Sequence, residues 1–460
     1  MSTYFIIGSG VAGRRAAEAI RERDASGAII MAEAQENALY TRPMLGEMLS
    51  KGTVSSAATQ HQLKEFGVQL HAGVSAKEVR LSSQQVLLSN NRVVTYDKLL
   101  ITTGKSTARD FFDDDQTDGI VHLDHLPDLQ QIEPLIKSTR KAVVYGDNFQ
   151  AVSAVRGLQR RGIHCTLVLP KARLWPEFLD TIADEIMETR LRQAGADVIR
   201  NAEVQLVERE GSTLTGVVIS GGHKLVADLL VVSAVQAPSL EFLGENGLGL
   251  AQGVEVDAYQ RTRESNVFAA GDVALITEEG VGDAGALKGW LRAWKQGHIA
   301  GANMAGDSLL YDGIPSLRTK VLDLDLVSLG ESNATGENIR HESGDYPYAE
   351  LPYVYKKLVF RGAKIIGAVF VGDVSEAGEV EQWIRKGLNK GECDPRILSQ
   401  MFALQFRKPV AHSVLCPVCK YQMQHSEQEK EGAITSCPAC GIDFQIERLP
   451  NNAYRAVPLD

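Results

Sequence analysis

Four cysteines near the end of the chain have the spacing of a metal site. They form two Cys-x-x-Cys pairs, Cys416 with Cys419 and Cys437 with Cys440, and seventeen residues separate the pairs. Four thiolates at this spacing enclose one tetrahedral ion, and the tight turn within each pair leaves backbone N–H groups to bond the sulfurs. A tetrathiolate set suits zinc or iron. The residues therefore predict a four-cysteine metal site, with zinc favoured and iron left open.

A glycine-rich turn near the N-terminus is the second chemical signal. In the turn GSGVAG (residues 8–13), Gly8 permits a tight bend, Gly10 lets the backbone approach a pyrophosphate, and Gly13 lets a helix pack closely on a strand. The helix N-terminus then offers unpaired N–H groups to the phosphates. Glu33 ends the next predicted strand, where a carboxylate accepts hydrogen bonds from ribose hydroxyls. The pattern predicts a dinucleotide site that contains Gly8, Gly10, Ala12, Gly13 and Glu33.

The composition places these signals in a globular chain of several domains. The 460 residues are 44% hydrophobic and 23% charged, which is enough for two or three cores. The formal net charge of −10 argues against nucleic acid or an anionic membrane as the main partner. No apolar stretch reaches the roughly 20 residues of a membrane span, and the N-terminus has no basic leader. A cytoplasmic location is the expectation.

The order of apolar runs and helical patterns indicates how the elements are arranged. Strand–turn–helix–strand units begin at Tyr4 and at Lys141, so two nucleotide-type domains are predicted, with the second inserted in the first. From Tyr311 onward, strand-like runs around a hairpin at Arg361-Gly362 predict a third, α+β domain. After about Pro409 the chain is too short and polar to hold a core without a metal.

Three further segments carry a family resemblance. YDKLLITTG (96–104) resembles the "YDxLLIATG" strand of two-dinucleotide flavoproteins, NVFAAGD (266–272) resembles their "hhAxGD" segment, and YTRP (40–43) resembles a "YxRP" motif beside the flavin. Over about residues 3–390 the chain resembles the pyridine-nucleotide-disulphide oxidoreductase superfamily. The branch it resembles contains the large subunit of NAD(P)H-nitrite reductase, NADH–rubredoxin reductase and ferredoxin reductases.

This resemblance implies FAD as a cofactor and a definite α/β architecture. The expected fold has two Rossmann-like dinucleotide-binding domains, the second inserted in the first, an α+β C-terminal interface domain and a small metal-stapled ribbon with four cysteines. The implied bounds are 1–112 and 246–311 for the FAD-binding domain, 113–245 for the NAD(P)-binding-like domain, 312–409 for the interface domain and 410–460 for the ribbon. In the family, the residues at the positions of Arg42, Pro43, Thr103, Gly104, Gly271 and Asp272 lie at the FAD, with the aspartate on the ribitol.

The chain departs from the family beside the predicted flavin. The disulphide branch places a cysteine pair on the helix after the second strand, and residues 44–50 contain no cysteine, so a thiol relay is not expected there. Ferredoxin-reductase relatives have a lysine where this chain has Glu47, and the glutamate that pairs with that lysine is replaced by Ser153. Either the pocket is rebuilt, or Glu47 points to solvent.

The second glycine fingerprint is also altered. It appears as GDNFQA (146–151), with Gly146 and Ala151 in accepted positions, and Asn148 places a side chain where a pyrophosphate would approach. The next strand ends at Leu169-Pro170-Lys171, with no carboxylate there and with Arg173 close by. The absence of an acid and the presence of bases suit the 2′-phosphate of NADPH. They suit equally a domain that no longer binds nicotinamide.

The remaining cysteines and histidines receive structural interpretations. The Cys-Pro-Ala-Cys-Gly knuckle resembles rubredoxin and zinc ribbons alike, whereas Lys420 stands where rubredoxins carry glycine. Cys165 is interpreted as a buried strand residue and Cys393 as a loop residue without a role. His122 and His125 are interpreted as surface residues.

The first functional hypothesis is an FAD-dependent oxidoreductase that moves electrons from NAD(P)H through FAD to a protein or metal-centre acceptor. The alternatives are an FAD-containing electron-transfer subunit that no longer binds nicotinamide, and a non-catalytic flavoprotein that docks a partner through a zinc ribbon. The expected partner is a redox protein of the rubredoxin, ferredoxin or iron–sulfur type. A homodimer through residues 312–409, or membership of a redox complex, is also expected.

Overall fold

The computed structural model describes thirteen parts of the chain. They are residues 1–36, 40, 42–51, 63–107, 117–234, 236–277, 289–346, 354–402, 413–418, 420–424, 432, 434–448 and 454–458. No helix among these residues is long and apolar enough to cross a membrane.

Eight α-helices and thirty-one strands have described bounds. The helices are α1 (Val11–Arg21), α2 (Leu45–Lys51), α3 (Leu126–Ile136), α4 (Phe149–Arg160), α5 (Thr181–Gln193), α6 (Trp290–Met304), α7 (Ala377–Lys386) and α8 (Pro395–Phe402), with 3₁₀ turns at Arg42–Met44, Glu241–Leu243 and Lys390–Glu392. The strands are β1 (Thr3–Ile7), β2 (Ala28–Glu33), β3 (Val68–Ala72), β4 (Ala76–Arg80), β5 (Gln85–Leu88), β6 (Val93–Thr95), β7 (Lys98–Ile101), β8 (Ser106–Thr107), β9 (Ile120–His122), β10 (Lys141–Tyr145), β11 (His164–Val168), β12 (Asp197–Ile199), β13 (Val204–Glu210), β14 (Thr213–Ile219), β15 (His223–Val226), β16 (Leu229–Val232), β17 (Gln236–Ala237), β18 (Gly249–Leu250), β19 (Gly253–Val256), β20 (Val267–Ala269), β21 (Ala274–Ile276), β22 (Ser316–Val321), β23 (Leu324–Gly330), β24 (Ile339–Tyr346), β25 (Val354–Arg361), β26 (Lys364–Val371), β27 (Ser413–Leu415), β28 (Gln422–Gln424), β29 (Ile434–Ser436), β30 (Asp443–Arg448) and β31 (Tyr454–Pro458).

Two five-stranded parallel sheets form the centres of the nucleotide-type domains. The first has the order β20-β7-β1-β2-β3 and the second the order β12-β11-β10-β16-β9. Strand β20 returns to the first sheet after the second sheet is complete, which confirms the predicted insertion. The exact domain bounds stay predictions, because two of the predicted borders, 112/113 and 409/410, lie outside the described residues.

The first sheet is buried on both faces, as its apolar runs predict. On β1, Phe5 and Ile7 face one core and Tyr4 and Ile6 face the other. Side chains of α1 and α6 complete the second of these cores. Burial on both faces explains why the strand sequences show no polar alternation.

The C-terminal domain and the ribbon have antiparallel sheets. The sheet β22-β23-β26-β25-β24 contains the predicted hairpin, with Gly362 at φ +62° between β25 and β26. The ribbon contains a two-stranded sheet, β27-β28, and a three-stranded sheet, β29-β30-β31. They surround a small core of valine, isoleucine, phenylalanine and cysteine side chains.

Helices α1 and α6 cross at backbone contact distance because α6 presents glycines to α1. A Cβ atom on Gly297 would lie 2.2 Å from the Ala12 carbonyl oxygen, and one on Gly301 would lie 2.3 Å from the Ala16 carbonyl oxygen. Both distances are below van der Waals contact, so any side chain at either position forces the helices apart. This crossing connects the glycine turn before α1 to the first turn of α6.

We expect Gly297→Ala to lower the free energy of unfolding by about 1–3 kcal/mol, since overpacking a close contact costs that much. The matched control is Gly378→Ala in α7, where an added Cβ meets none of the described atoms within 4 Å. That substitution is expected to be neutral or to stabilise the protein by up to about 1 kcal/mol through helix propensity. Urea unfolding midpoints of the two variants measure the difference, and equal midpoints would contradict the close crossing.

Candidate functional site

The first glycine turn has the geometry of a phosphate cradle. Gly8 has φ +105°, and a Cβ atom there would lie 2.5 Å from the Thr102 carbonyl oxygen. A Cβ atom on Gly13 would lie 2.1 Å from the Gly8 carbonyl oxygen. Gly10 is different, because a Cβ atom there would meet none of the described atoms within 4 Å. The first and last glycines are thus required by the chain itself, whereas the middle one borders open space.

Gly10 is also the N-cap of α1 and gives that helix no side-chain cap. The first turn of α1 contains no acidic residue either. An uncapped helix N-terminus beside open space suits an anionic phosphate group.

Glu33 is held beside this turn. Its Oε2 atom accepts hydrogen bonds of 2.9 Å from both the backbone N–H and the hydroxyl of Ser9, and its Oε1 atom accepts one of 3.0 Å from the Gln35 N–H. An ionised carboxylate has about four acceptor sites, so one remains for a further donor. The predicted carboxylate is therefore fixed in position at the end of β2.

The residues predicted for the flavin end lie around several buried polar atoms that lack a partner among the described residues. Arg42 donates to the Lys105 carbonyl oxygen at 2.9 Å and to Asp124 Oδ1 at 3.2 Å, while its Nε atom is one of these atoms. The others include Thr103 Oγ1 and Gln296 Nε2. Buried polar groups are nearly always hydrogen-bonded, so these donors fit a ligand that supplies acceptors.

The remaining predicted flavin residues lie in the same region. Pro43 lies in the 3₁₀ turn Arg42–Met44. Gly104 has φ +70°, and a Cβ atom there would lie 4.0 Å from an Arg42 guanidinium nitrogen. The Gly271 N–H donates to Gln296 at 2.9 Å, and a Cβ atom on Gly271 would lie 3.3 Å from the Ala12 Cβ. The structure thus brings Gly271 to Ala12 and Gly104 to Arg42, and their role at a cofactor stays a prediction.

His125 corrects one interpretation made from the sequence. Its Nδ1 atom lies 3.1 Å from Gln35 Nε2 and 3.3 Å from the Tyr40 hydroxyl, and its Nε2 atom lies 3.0 Å from the Ser106 hydroxyl. Burial, helped by the positive charge of Arg42, lowers the pKa of the imidazole. His125 is thus not a free surface residue but a half-buried one that joins the segment after β2, the segment before Arg42 and the start of α3.

The second glycine turn differs from the first at its helix N-terminus. Asn148 is the N-cap of α4, and its Oδ1 atom accepts hydrogen bonds of 2.9 Å from the Ala151 N–H and from the Ser233 hydroxyl. A Cβ atom on Gly146 would lie 2.1 Å from the Ser233 carbonyl oxygen, so the tight turn itself is retained. One amide that would face a pyrophosphate is therefore satisfied within the chain.

One of the two bases that sequence reasoning offered to a 2′-phosphate, Lys171, is already paired. Lys171 Nζ lies 3.0 Å from Asp147 Oδ2 and 3.2 Å from Glu177 Oε1. These carboxylates raise the pKa of the lysine although burial opposes them. Lys171 is charged and shared between two acids, which weakens the argument for NADPH.

Glu47 and Ser153 both lie where α2 packs against α4, but with different partners. Glu47 lies 2.7 Å from an Arg160 nitrogen and 3.8 Å from an Arg156 nitrogen, so it does not simply point to solvent. A Cβ atom on Gly46 would lie 1.8 Å from Ser153 Oγ, so the two helices approach each other closely at Gly46 and Ser153. The ion pair across these helices has reversed polarity compared with the family pattern. The sequence did not indicate that Arg156 and Arg160 would be the partners of Glu47.

Three of the four predicted metal ligands come together. The Cys416, Cys437 and Cys440 Sγ atoms lie within 4.8 Å of one another and are buried, while Cys419 lies outside the described residues. Cys416 and Cys440 have an Sγ–Sγ distance of 3.6 Å. Zn–S or Fe–S bonds of about 2.3 Å in a tetrahedron place two sulfurs about 3.8 Å apart. The described thiols therefore fit a tetrathiolate metal.

The first cysteine knuckle is unusual because a lysine replaces the glycine. Lys420 has φ +59°, in the left-handed region, as does Gly441 of the second knuckle at φ +66°. The Lys420 ammonium is buried, donates to the Pro417 carbonyl oxygen at 2.8 Å and pairs with Asp325 at 3.1 Å. The backbone strain at Lys420 is thus accompanied by an ion pair to the C-terminal domain, which the sequence did not indicate.

The family assignment rests on sequence profiles and on relatives. Residues 2–297 match the pyridine nucleotide-disulphide oxidoreductase profile, and residues 315–388 match the C-terminal domain of rubredoxin NAD⁺ reductase. The chain is 25% identical over 389 residues to "Nitrite reductase [NAD(P)H]" of Bacillus subtilis, covering 83% of this chain and 47% of that protein. The chain therefore spans about half the length of that relative.

A second relative and a solved structure agree with this assignment. Rubredoxin-NAD(+) reductase of Pseudomonas putida is 24% identical over 332 residues, covering 71% of this chain and 86% of that protein. Putidaredoxin reductase, in its covalent complex with putidaredoxin, has the same fold with a TM-score of 0.76 at 20% identity, covering 87% of this chain and 98% of that one. The chain belongs to the pyridine nucleotide-disulphide oxidoreductase family, whose members are FAD-dependent NAD(P)H oxidoreductases.

Proposed function

We propose that this chain is an FAD-dependent oxidoreductase that moves electrons from NAD(P)H through FAD to a protein or metal-centre acceptor. The family and its reductase relatives support this proposal. The proposed acceptor is a redox protein of the rubredoxin, ferredoxin or iron–sulfur type. A homodimer through the C-terminal domain, or membership of a larger redox complex, belongs to the same proposal, as does a cytoplasmic location.

The proposed FAD residues have complementary tasks. FAD, when bound, supplies the redox chemistry, and the chain supplies binding, orientation and electrostatics. The amides after Gly10 face the phosphates, Glu33 accepts from the adenosine ribose, and Asp272 accepts from the ribitol. Arg42, fixed by Asp124 at 3.2 Å, places a positive charge beside the flavin. The proposed set is Gly8, Gly10, Ala12, Gly13, Glu33, Arg42, Pro43, Thr103, Gly104, Gly271 and Asp272.

The observation that carries the proposal is the open, uncapped turn at Gly10. Nothing among the described atoms needs a glycine there, and the backbone angles of φ −58° and ψ −178° are available to any residue. A glycine at this position is therefore explained by a ligand that approaches the backbone, whereas Gly8 and Gly13 are explained by the fold.

Gly10→Ala is expected to weaken FAD binding by about tenfold or more, because a methyl group at a close contact costs about 1–3 kcal/mol. The apoprotein is expected to unfold within about 1 kcal/mol of the parent, since alanine is only a poorer N-cap than glycine. Flavin retention after gel filtration and urea unfolding of the apoprotein measure the two effects.

The matched control is Gly13→Ala, whose Cβ would lie 2.1 Å from the Gly8 carbonyl oxygen. That substitution is expected to destabilise the apoprotein itself. Full FAD retention in Gly10→Ala would contradict the proposed cofactor position.

The second candidate function is an electron-transfer flavoprotein that no longer binds nicotinamide. The Asn148 cap and the paired Lys171 favour it, because both occupy groups that a dinucleotide phosphate would use. An anaerobic titration with NADH and then NADPH distinguishes the candidates. Bleaching of the flavin supports the reductase, and an unchanged spectrum that dithionite still bleaches supports the electron-transfer subunit.

Asn148→Gly is expected to strengthen NAD(P)H binding about three- to tenfold, since one freed backbone amide contributes roughly 0.5–1.5 kcal/mol. Replacing an asparagine N-cap by glycine costs the helix only a few tenths of a kcal/mol, about 0.3. The nucleotide dissociation constant of the purified holoprotein is the measurement. The control is Ser233→Ala, which removes a hydrogen bond to Asn148 and leaves the cap in place. Weaker binding in Asn148→Gly would show that the cap does not compete with the nucleotide.

A metal held by Cys416, Cys419, Cys437 and Cys440 is proposed for the ribbon. We expect Cys437→Ser to lose the metal, because a hydroxyl is a poor substitute for a thiolate ligand. Cys393→Ser is the control, since this buried thiol donates to the Asn389 carbonyl oxygen and lies outside the thiol cluster. Elemental analysis of both variants should show metal only in the control, and retained metal in Cys437→Ser would contradict the assignment.

The third hypothesis assigns the ribbon to partner docking without catalysis. Deleting residues 410–460 tests it on the flavoprotein: loss of partner binding with unchanged flavin reduction would support docking alone.

A further inference from the structure

The ribbon is seated on the flavin end of the first nucleotide domain. Met44 packs against the ribbon core that contains Cys416, Cys437 and Cys440. Met44 ends the 3₁₀ turn that begins at Arg42, the residue proposed to lie beside the flavin. The Met44 side chain therefore connects the proposed flavin segment directly with the ribbon core.

The first turn of α6 makes a second contact between the same two sites. The Trp290 indole N–H donates to the Cys440 carbonyl oxygen at 3.4 Å. The preceding residue, Gly289, donates its backbone N–H to Asp272 Oδ1 at 3.3 Å. Two consecutive residues thus touch a proposed metal ligand on one side and the proposed ribitol ligand on the other.

The ribbon packs closely against α6. A Cβ atom on Gly441, the residue after Cys440, would lie 2.6 Å from the Trp294 indole nitrogen. The ribbon also contacts the C-terminal domain, where the buried ammonium of Lys420 pairs with Asp325 of β23 at 3.1 Å. A buried charge without its partner costs several kcal/mol, so this pair disfavours undocking.

Two arginines of α1 contact the two tryptophans of α6 that lie against the ribbon. The Arg14 guanidinium lies 5.9 Å from the Trp290 ring centroid, and Arg15 lies 5.0 Å from that of Trp294. Burial lowers the pKa of Arg14 to about 10, and the nearby Asp443 carboxylate of the ribbon opposes this shift. Both arginines lie in α1 and both tryptophans lie in α6, so α1 is joined to the ribbon through the tryptophans of α6.

We propose that the first acceptor of electrons from the flavin is the ribbon metal of the same chain, that this metal is iron, and that Trp290 is the positioning residue that holds Cys440 at the flavin site. The proposal rests on the proposed FAD function and adds its acceptor. Zinc has no redox chemistry, so of the two metals that suit four thiolates only iron could accept an electron from the flavin.

The electron balance requires one outside reactant. A ferric tetrathiolate centre takes one of the two electrons of reduced flavin and becomes ferrous. An external one-electron acceptor protein then takes that electron and returns the centre to the ferric state. A second cycle removes the second flavin electron, and the flavin protons leave to solvent.

The test uses the full-length holoprotein and reduces the flavin by light with a sacrificial amine donor, so that nicotinamide is not needed. Elemental analysis and the visible spectrum first report the metal and the flavin. Rapid spectroscopy after a flash then follows loss of the ferric–thiolate absorption. We expect the protein to hold iron, and we expect electrons to reach it from the flavin.

Trp290→Phe keeps an aromatic side chain and removes the indole N–H that donates to the Cys440 carbonyl oxygen. Electron arrival at iron is expected to slow about tenfold or more, because small displacements of reacting groups cost rate steeply. The flavin spectrum and its photoreduction should stay unchanged. The matched control is Trp383→Phe, which removes an indole N–H that is bonded to Glu379 of the same helix at 3.0 Å and not to the ribbon. Asp325→Asn, which weakens the ion pair between Lys420 of the ribbon and the C-terminal domain, should also slow electron arrival at iron.

Zinc in the ribbon of protein produced with both metals supplied would overturn the proposal. So would iron that stays ferric beside reduced flavin, or an equal rate in Trp290→Phe and Trp383→Phe. If NAD(P)H fails to bleach the flavin while photoreduced flavin still reduces the iron, the nicotinamide part of the proposed function fails and this inference stands. A protein without flavin contradicts both.

Discussion

The close seating of α1 is the constraint on which the rest of the structure depends. Gly13 brings the helix to the Gly8 carbonyl oxygen, and Gly297 and Gly301 of α6 bring a second helix to the backbone of α1. Because no side chains separate these elements, the N-terminus of α1 is placed at the open turn, and the N-terminus of α6 is placed beside it. The uncapped amides, Asp272 and Trp290 are thereby gathered into one region.

The two glycine turns show that similar local geometry does not ensure similar chemistry. Each turn follows a buried parallel strand and precedes a helix. Each also keeps a glycine at a position where any side chain would collide with a neighbouring backbone atom. In the first turn the helix amides face open space. In the second, Asn148 accepts from one of them and Ser233 donates to Asn148. A single amide side chain converts a phosphate cradle into a self-capped helix, because it supplies the acceptor that the ligand would supply.

Several charges that would suit a catalytic pocket instead connect elements of the fold. Glu47 pairs with Arg160 across α2 and α4, and Lys420 pairs with Asp325 across the ribbon and the C-terminal domain. These pairs join α2 to α4 and the ribbon to the C-terminal domain. Where the family has a lysine, Glu47 thus makes a contact between two helices.

The sequence by itself determined the local chemistry and the order of the elements. Turn glycines, strand-end carboxylates and Cys-x-x-Cys knuckles act over a few residues, so Gly8, Gly13, Glu33 and the cysteine pairs were predicted from spacing alone. The insertion of one nucleotide-type domain in another followed from two repeated strand–turn–helix units. Only the tertiary structure decided the contacts between distant segments: those of His125 with Gln35 and Ser106, the reversed Glu47–Arg160 pair, and the docking of Cys440 on Trp290, 150 positions earlier in the chain. Such contacts depend on how helices and sheets pack in three dimensions, and no short-range pattern in a single sequence encodes that geometry.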